Sequence, residues 1–238
     1  MSNNVRFKPL ADGFSTDPFP HSIVENYAEE SFMAEVLREM EAFEATVRVP
    51  QNEVFNPCFD PLEDPRLAEY PATMALFEHL GSEEFFAEMT SILAPYVDGR
   101  LDISVEEISA ISRDPKKRDN FVKLSGPGDS YQVRRVHRDN PRGIYNFLFY
   151  ARLPNDYSTG GNLLFHLYEG RAPGWKAALR RKLTGHELKL IKSVEYKANT
   201  MVVFINGWDS FHEVSMRKNA KVSRIVFSGG LSADRPVC

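Results

Sequence analysis

The chain has 238 residues, 42% of them hydrophobic and 26% charged, with 15 Pro and 14 Gly, a make-up that suits a folded globular protein rather than a disordered or membrane chain. A net charge of −4 excludes a surface built throughout to hold nucleic acid, so no nucleic-acid partner is expected. The opening residues Met1–Pro9 lack the apolar stretch of a signal peptide and no later run approaches a membrane span, so a cytoplasmic protein with no membrane partner is expected.

From Tyr27 to Ala45, Phe32, Val36, Met40 and Phe43 recur at helical spacing, with Met33 and Leu37 widening the stripe. A segment rich in Pro, Asp and Asn follows over Pro50–Pro65, then helical stretches over Leu67–Leu80 and Glu83–Tyr96. Ser82, ahead of Glu83 and Glu84, is a helix start signal for the second. The charged run Arg113–Asp119 reads as an exposed loop.

Past Asn120 the texture changes to short runs of Val, Ile, Phe and Tyr broken by Gly, Pro, Asn and Asp. Strands are expected near 121–125, 130–137, 144–152, 161–168, 188–197, 200–206, 211–216 and 222–229, a set that suits a two-sheet jelly roll. The expected class is therefore α+β, mainly β with N-terminal helices. One domain over 1–238 is expected, with 1–120 as mostly helical support and 121–238 as the jelly-roll core. A basic helical insert near 170–185, with Trp175, Leu179 and Leu183 among Lys176, Arg180, Arg181 and Lys182, would interrupt that core. Cys58 and Cys238 are far apart with no partner at ligand spacing and read as free thiols.

Chemistry concentrates in His137-Arg138-Asp139, whose outer side chains share a face of an extended strand and can grip one metal ion. Such a triplet is weak by itself; its context is His212, at the head of Phe211–Met216 and just past the loop Asn206-Gly207-Trp208-Asp209. Two imidazoles and one carboxylate on one face of an octahedron leave three positions open. That suits iron(II) binding a chelating co-substrate and then dioxygen, whereas zinc prefers a closed tetrahedral shell.

Farther on, Arg224 sits amid apolar neighbours in a strand, where a guanidinium needs an anionic partner; its planar fork matches a carboxylate such as the distal one of 2-oxoglutarate. Lys221 competes for that role but follows Arg217-Lys218-Asn219-Ala220, which reads as a solvated turn. Strand parity sets the two cations on opposite faces without saying which face is inward.

These features resemble the 2-oxoglutarate and iron(II)-dependent dioxygenases, in their prolyl-hydroxylase-like branch. The resemblance is carried by His137-x-Asp139, the strand ending in Tyr150, the Gly160-Gly161 pair and His212 followed by Arg224. The stretch His137-Arg138-Asp139-Asn140-Pro141, then Ile144–Tyr150 and Gly160-Gly161-Asn162-Leu163, is similar to oxygen-sensing prolyl hydroxylases. It implies a double-stranded β-helix (cupin-like), iron(II) on His137, Asp139 and His212, and 2-oxoglutarate held at its far end by Arg224. It also implies a Tyr150 hydroxyl on the same carboxylate, with Asn146, on the Tyr150 face of the strand, as a further co-substrate contact, dioxygen as oxidant and ascorbate as a supporting reductant. Two departures imply a rearranged co-substrate pocket: Arg224 follows His212 at a longer interval than in many relatives, and Ser125 stands where some carry a second tyrosine.

Arg135 shares the parity of His137 and is the candidate to hold an anionic prime substrate, while Arg134, Arg138 and Arg142 read as solvated. Trp208 and Ser210 precede His212 at even spacing and are candidate substrate contacts, although Trp208 could equally cap the barrel. His166 has no partner at ligand spacing and reads as structural. The expected activity is hydroxylation of a small anionic metabolite with release of succinate and carbon dioxide. Hydroxylation of a protein or peptide residue is the alternative. A cupin-like metal-binding isomerase or binding protein is the alternative of another class, and Arg224 argues against it.

Overall fold

The computed structural model describes residues 5–47, 49, 58–59, 64–132, 134–168 and 188–238. Helix α1 (Glu30–Thr46) buries Met33, Val36, Met40 and Phe43, the stripe legible in the sequence. Helix α2 (Pro71–Leu80) starts on a proline, whose missing N–H costs nothing at a helix start. Helix α3 (Glu83–Leu93) is capped by Ser82, whose Oγ accepts the Phe85 N–H at 3.1 Å. It ends before Tyr96, where Pro95 lies in a following 3-10 turn and cannot continue the ladder. A short helix α4 (Val105–Ile111) has no counterpart in the sequence reading. The charged run 113–119 is a 3-10 turn that already passes into a strand at Arg118.

The strands are β1 (Phe14–Ser15), β2 (His21–Glu25), β3 (Cys58–Phe59), β4 (Arg118–Ser125), β5 (Gly128–Tyr131), β6 (Arg134–His137) and β7 (Gly143–Tyr150). They continue with β8 (Leu163–Tyr168), β9 (Leu188–Val194), β10 (Thr200–Ile205), β11 (Phe211–Val214), β12 (Arg217–Ala220) and β13 (Arg224–Ser232). An antiparallel seven-stranded sheet runs β1-β2-β10-β7-β13-β4-β3, a four-stranded sheet runs β6-β11-β8-β9, and β12 pairs with β5. Two facing sheets with helices on the outer face of the larger one make the expected jelly roll.

Parity along the strands organises the layers. On β13 and β10, Ile225, Phe227, Met201 and Val203 join the helices in one core. Val226, Val202 and Phe204 face the smaller sheet and pack with Phe165, Leu163 and Val194 in a second core. Strand β10 is buried at every position because both of its faces are covered. The same alternation turns Arg224 inward, between the sheets, and decides the question that parity alone left open.

Two expectations need correction or lie beyond reach. Arg217–Ala220 is a strand rather than a solvated turn, and Arg217 is fully buried in an ion pair with Asp156 (2.8 Å), whose side chain is likewise unexposed. That partner is remote in sequence and leaves no local periodicity to read. The basic insert near 170–185 lies outside the described residues. Among the described residues no helix is long and apolar enough to cross a membrane.

Candidate metal centre

Strand β6 delivers His137 and β11 delivers His212, and the register sets these two residues directly opposite each other. Their rings lie 4.3 Å apart between centroids. Asp139, in the turn after β6, completes the group: its Oδ1 is 3.3 Å from His137 Nε2 and its Oδ2 is 3.2 Å from His212 Nε2. Ligands at right angles about an ion at roughly 2.1 Å would stand about 3 Å apart, so the spacing fits one six-coordinate ion.

The backbone selects the tautomer of both rings. His137 Nδ1–H donates to the Arg135 carbonyl at 2.7 Å, and His212 Nδ1–H donates to the Ser210 carbonyl at 3.0 Å. In a neutral ring the proton is then on Nδ1 and Nε2 carries a lone pair. Two lone pairs facing a carboxylate repel it, unless a cation or a shared proton sits between them. Burial pushes the His137 imidazole below its ordinary value, against the pull of Asp139. Burial works against ionisation of Asp139, but when the two rings are protonated, hydrogen bonding and charge from His137 and His212 outweigh it and hold the carboxyl well below the usual range. Asn146, from β7, donates Nδ2–H to Asp139 Oδ2 at 2.9 Å and fixes the carboxylate rotamer. It thus touches the metal carboxylate, a different partner from the co-substrate proposed for it.

The group opens into a cavity of about 330 Å³ that Arg224 and Asn146 also line. Arg224 is 3% exposed. Its Nε–H donates to the Gly161 carbonyl at 3.0 Å, and its guanidinium lies over the rings of Tyr196 (4.8 Å) and Tyr150 (5.3 Å). Its Nη2 and the Tyr150 hydroxyl approach each other and are otherwise buried without a hydrogen-bond partner, and among the described residues no carboxylate lies at ion-pair distance from Arg224. Burial pushes the Tyr150 phenol up to about 12, so it keeps its proton. A buried cation and a buried O–H donor with no further partners fit the carboxylate of a bound dianion. Lys221 has an 83% exposed side chain and points to solvent.

Gly160 and Gly161 make this arrangement possible. Both hold a left-handed backbone (φ +77° and +75°), and a Cβ on Gly160 would stand 1.9 Å from the Met216 carbonyl oxygen. The turn presents the Gly161 carbonyl to Arg224.

Three expected substrate contacts are placed elsewhere. Arg135 is exposed and does not line the cavity; Arg134 does. The reason is a bulge: His137 pairs with His212 and Arg134 with Val214, so three steps on β6 match two on β11 and parity inverts between them. Trp208 donates Nε1–H to the Gly99 carbonyl at 2.8 Å, and Ser210 Oγ–H donates to the Gly207 carbonyl at 2.8 Å, so both brace the loop before β11. His166 pairs with Glu213 at 3.1 Å on the opposite face of β11 from His212, a structural contact. Sequence reasoning missed Tyr196, which accepts the Ile225 N–H at 2.9 Å under the Arg224 guanidinium, and Lys123, which lines the cavity from β4. Neither carries a local signal.

No family model and no curated protein matches the chain. Solved structures do. A prolyl 4-hydroxylase from Phytophthora capsici superposes with a TM-score of 0.54 at 16% identity, over 90% of this chain and 59% of that one. A Pseudomonas putida prolyl-4-hydroxylase gives 0.46 at 17% identity, over 90% and 93%. A non-heme alpha-ketoglutarate-dependent epimerase of nogalamycin biosynthesis gives 0.48 at 10% identity, over 88% and 76%. This chain thus spans about three fifths of the Phytophthora chain, and the fold it shares with that protein is the prolyl-hydroxylase type of double-stranded β-helix.

Proposed function

We propose that the chain is a single catalytic domain that binds iron(II) through His137, Asp139 and His212 and uses 2-oxoglutarate and dioxygen to hydroxylate a prime substrate. One observation carries this reading: a two-histidine, one-carboxylate cluster and a buried arginine with no counter-charge among the described residues line the same cavity. A cupin that binds or isomerises its ligand without 2-oxoglutarate has no need of the second feature.

Iron in this cluster would supply dioxygen activation; the reaction as a whole converts 2-oxoglutarate, dioxygen and a C–H bond into succinate, carbon dioxide and an alcohol. The residues of the chain bind and orient. Arg224 and Tyr150 hold the distal carboxylate, the guanidinium by charge-assisted hydrogen bonds and the phenol by its retained proton. Asn146 keeps Asp139 aimed at the ion, and the two backbone carbonyls keep both imidazole Nε2 atoms aimed there. An intact carboxylate at Asp139 fills the place where a halide would bind in a halogenating relative, which favours hydroxylation. A small anionic metabolite is the preferred substrate and a peptide residue the alternative, which the resemblance to a prolyl 4-hydroxylase favours.

The test is to load the chain with iron(II) without air, add 2-oxoglutarate, and look for a weak visible charge-transfer band, then for succinate on admitting air with ascorbate. Both are expected in the wild-type chain, and neither in His212→Ala or Asp139→Ala. His166→Ala should keep most of the turnover. Absence of band and succinate in the wild type would end the oxygenase reading.

A further inference from the structure

Beside the metal group stands a cation that the mechanism above does not use. Arg134, on β6, places Nη2 at 3.4 Å from Asp139 Oδ1, the oxygen that also faces His137. No other carboxylate lies at ion-pair distance from it among the described residues, and half of its side chain (52%) remains exposed. A strong guanidinium–carboxylate bond is about 2.7–2.9 Å long, so this contact is loose. An ion bound by Asp139 would draw off most of the charge that holds it, leaving the Arg134 fork free at the edge of the cluster.

The surroundings narrow what could take that fork. The Arg224 end of the cavity serves the co-substrate, and the whole volume is about 330 Å³, at the small end of the ~300–1,000 Å³ typical of ligand pockets. A small molecule fits the remainder. The bulge in β6 brings Arg134 onto the face of His137 and His212, so a group bound there lies next to the reacting centre. On the opposite sheet Asp119 and Lys123 line the same cavity from β4; their charges offset each other there, so the single net anionic group falls to Arg134, and Asp119 offers an ammonium group a partner.

We propose that Arg134 receives the carboxylate of a small monocarboxylate substrate, an amino acid matching best, and thereby turns the adjacent C–H bonds toward the metal. This specificity role rests on the oxygenase reading. It places the substrate's anionic group on Arg134 and not on Arg135.

The experiment loads the full chain with Mn(II) and 2-oxoglutarate, which bind without turnover, and titrates in the twenty common L-amino acids, lactate, the carboxamide of each, and poly-L-proline by calorimetry. At least one free monocarboxylate should bind, and its carboxamide should bind far more weakly. Arg134→Gln should weaken that binding by about 10- to 100-fold, the worth of a charge-assisted hydrogen bond, while Arg135→Gln leaves it unchanged. Uptake of Mn(II) and 2-oxoglutarate with no binding of a monocarboxylate overturns the proposal alone. So does equal binding of the carboxamide, unchanged affinity in Arg134→Gln, or binding of poly-L-proline only. A chain that takes up neither Mn(II) nor 2-oxoglutarate overturns this proposal and the oxygenase reading together.

Discussion

Arg224 and Lys221 both follow His212, and chemistry rather than proximity separates them. Arg224 is buried against two tyrosine rings with donors to spare, while Lys221 is solvated beside Asp129 at 3.9 Å. Loss of one partner of a buried, hydrogen-bonded ion pair costs ~3–5 kcal/mol, so Arg224→Ala should weaken 2-oxoglutarate binding by roughly two to three orders of magnitude. Lys221→Ala should leave it near normal, and titration of the metal-loaded variants reads both; the reverse pattern would displace Arg224 from its role. Asn146 acts on a different quantity. It touches Asp139, so Asn146→Ala should lower metal affinity by about 10- to 100-fold, as loss of an orienting hydrogen bond to a ligand does. A competition assay against a metal chelator measures the change, and an unaltered affinity would leave Asn146 without influence on the carboxylate.

At the scale of elements, two contacts between distant segments hold the frame around the site. Asp156 and Arg217 join the loop after β7 to β12, and Arg217 also donates to Ser158 Oγ and to the Val222 carbonyl, just ahead of β13. Asp156→Asn leaves a buried guanidinium without its counter-charge and should cost ~3–5 kcal/mol of stability; an unchanged denaturant midpoint would show the pair to be dispensable.

The second contact clips the N-terminal segment onto α2. His79 stacks on Phe7 at 3.6 Å and shares a hydrogen bond with the Tyr27 hydroxyl at 2.9 Å. Burial pushes the His79 imidazole down from 6.5 to about 4. The unfolded chain therefore takes up this proton at a higher pH than the folded one, and stability is lost as pH falls from 6.5 towards 4. The full difference amounts to about 3 kcal/mol at ~1.36 kcal/mol per unit. In thermal melts between pH 7 and pH 4.5 the wild type should lose more stability than His79→Phe, which cannot titrate there. Parallel losses would assign the acid sensitivity to other groups.

At the scale of the molecule, the site lies between two sheets, and its occupants should stabilise their contact. A ligand at a hundred times its Kd adds ~2.7 kcal/mol, and a chain of this size gains about 2–4 °C per kcal/mol. Mn(II) with 2-oxoglutarate should therefore raise the wild-type melting temperature by roughly 5–10 °C, a chelator should reverse it, and Asp139→Ala should show no such rise. A rise of the same size in Asp139→Ala would place the binding site elsewhere.

The sequence by itself determined what depends on neighbours within a few residues: the α1 stripe, the Ser82 cap, the strands past Asn120 and the two-residue spacing of His137 and Asp139. These are legible because backbone geometry sets periods of 3.6 and 2 that side chains must follow. Only the tertiary structure decided which face of β13 is inward, and hence that Arg224 is enclosed. It decided that Arg217 is buried, because Asp156 reaches it across the fold. It also decided that Arg134 and not Arg135 stands beside the metal group, since one bulge in the pairing of β6 with β11 inverts parity. A bulge belongs to a pair of strands, so no reading of one strand alone contains it.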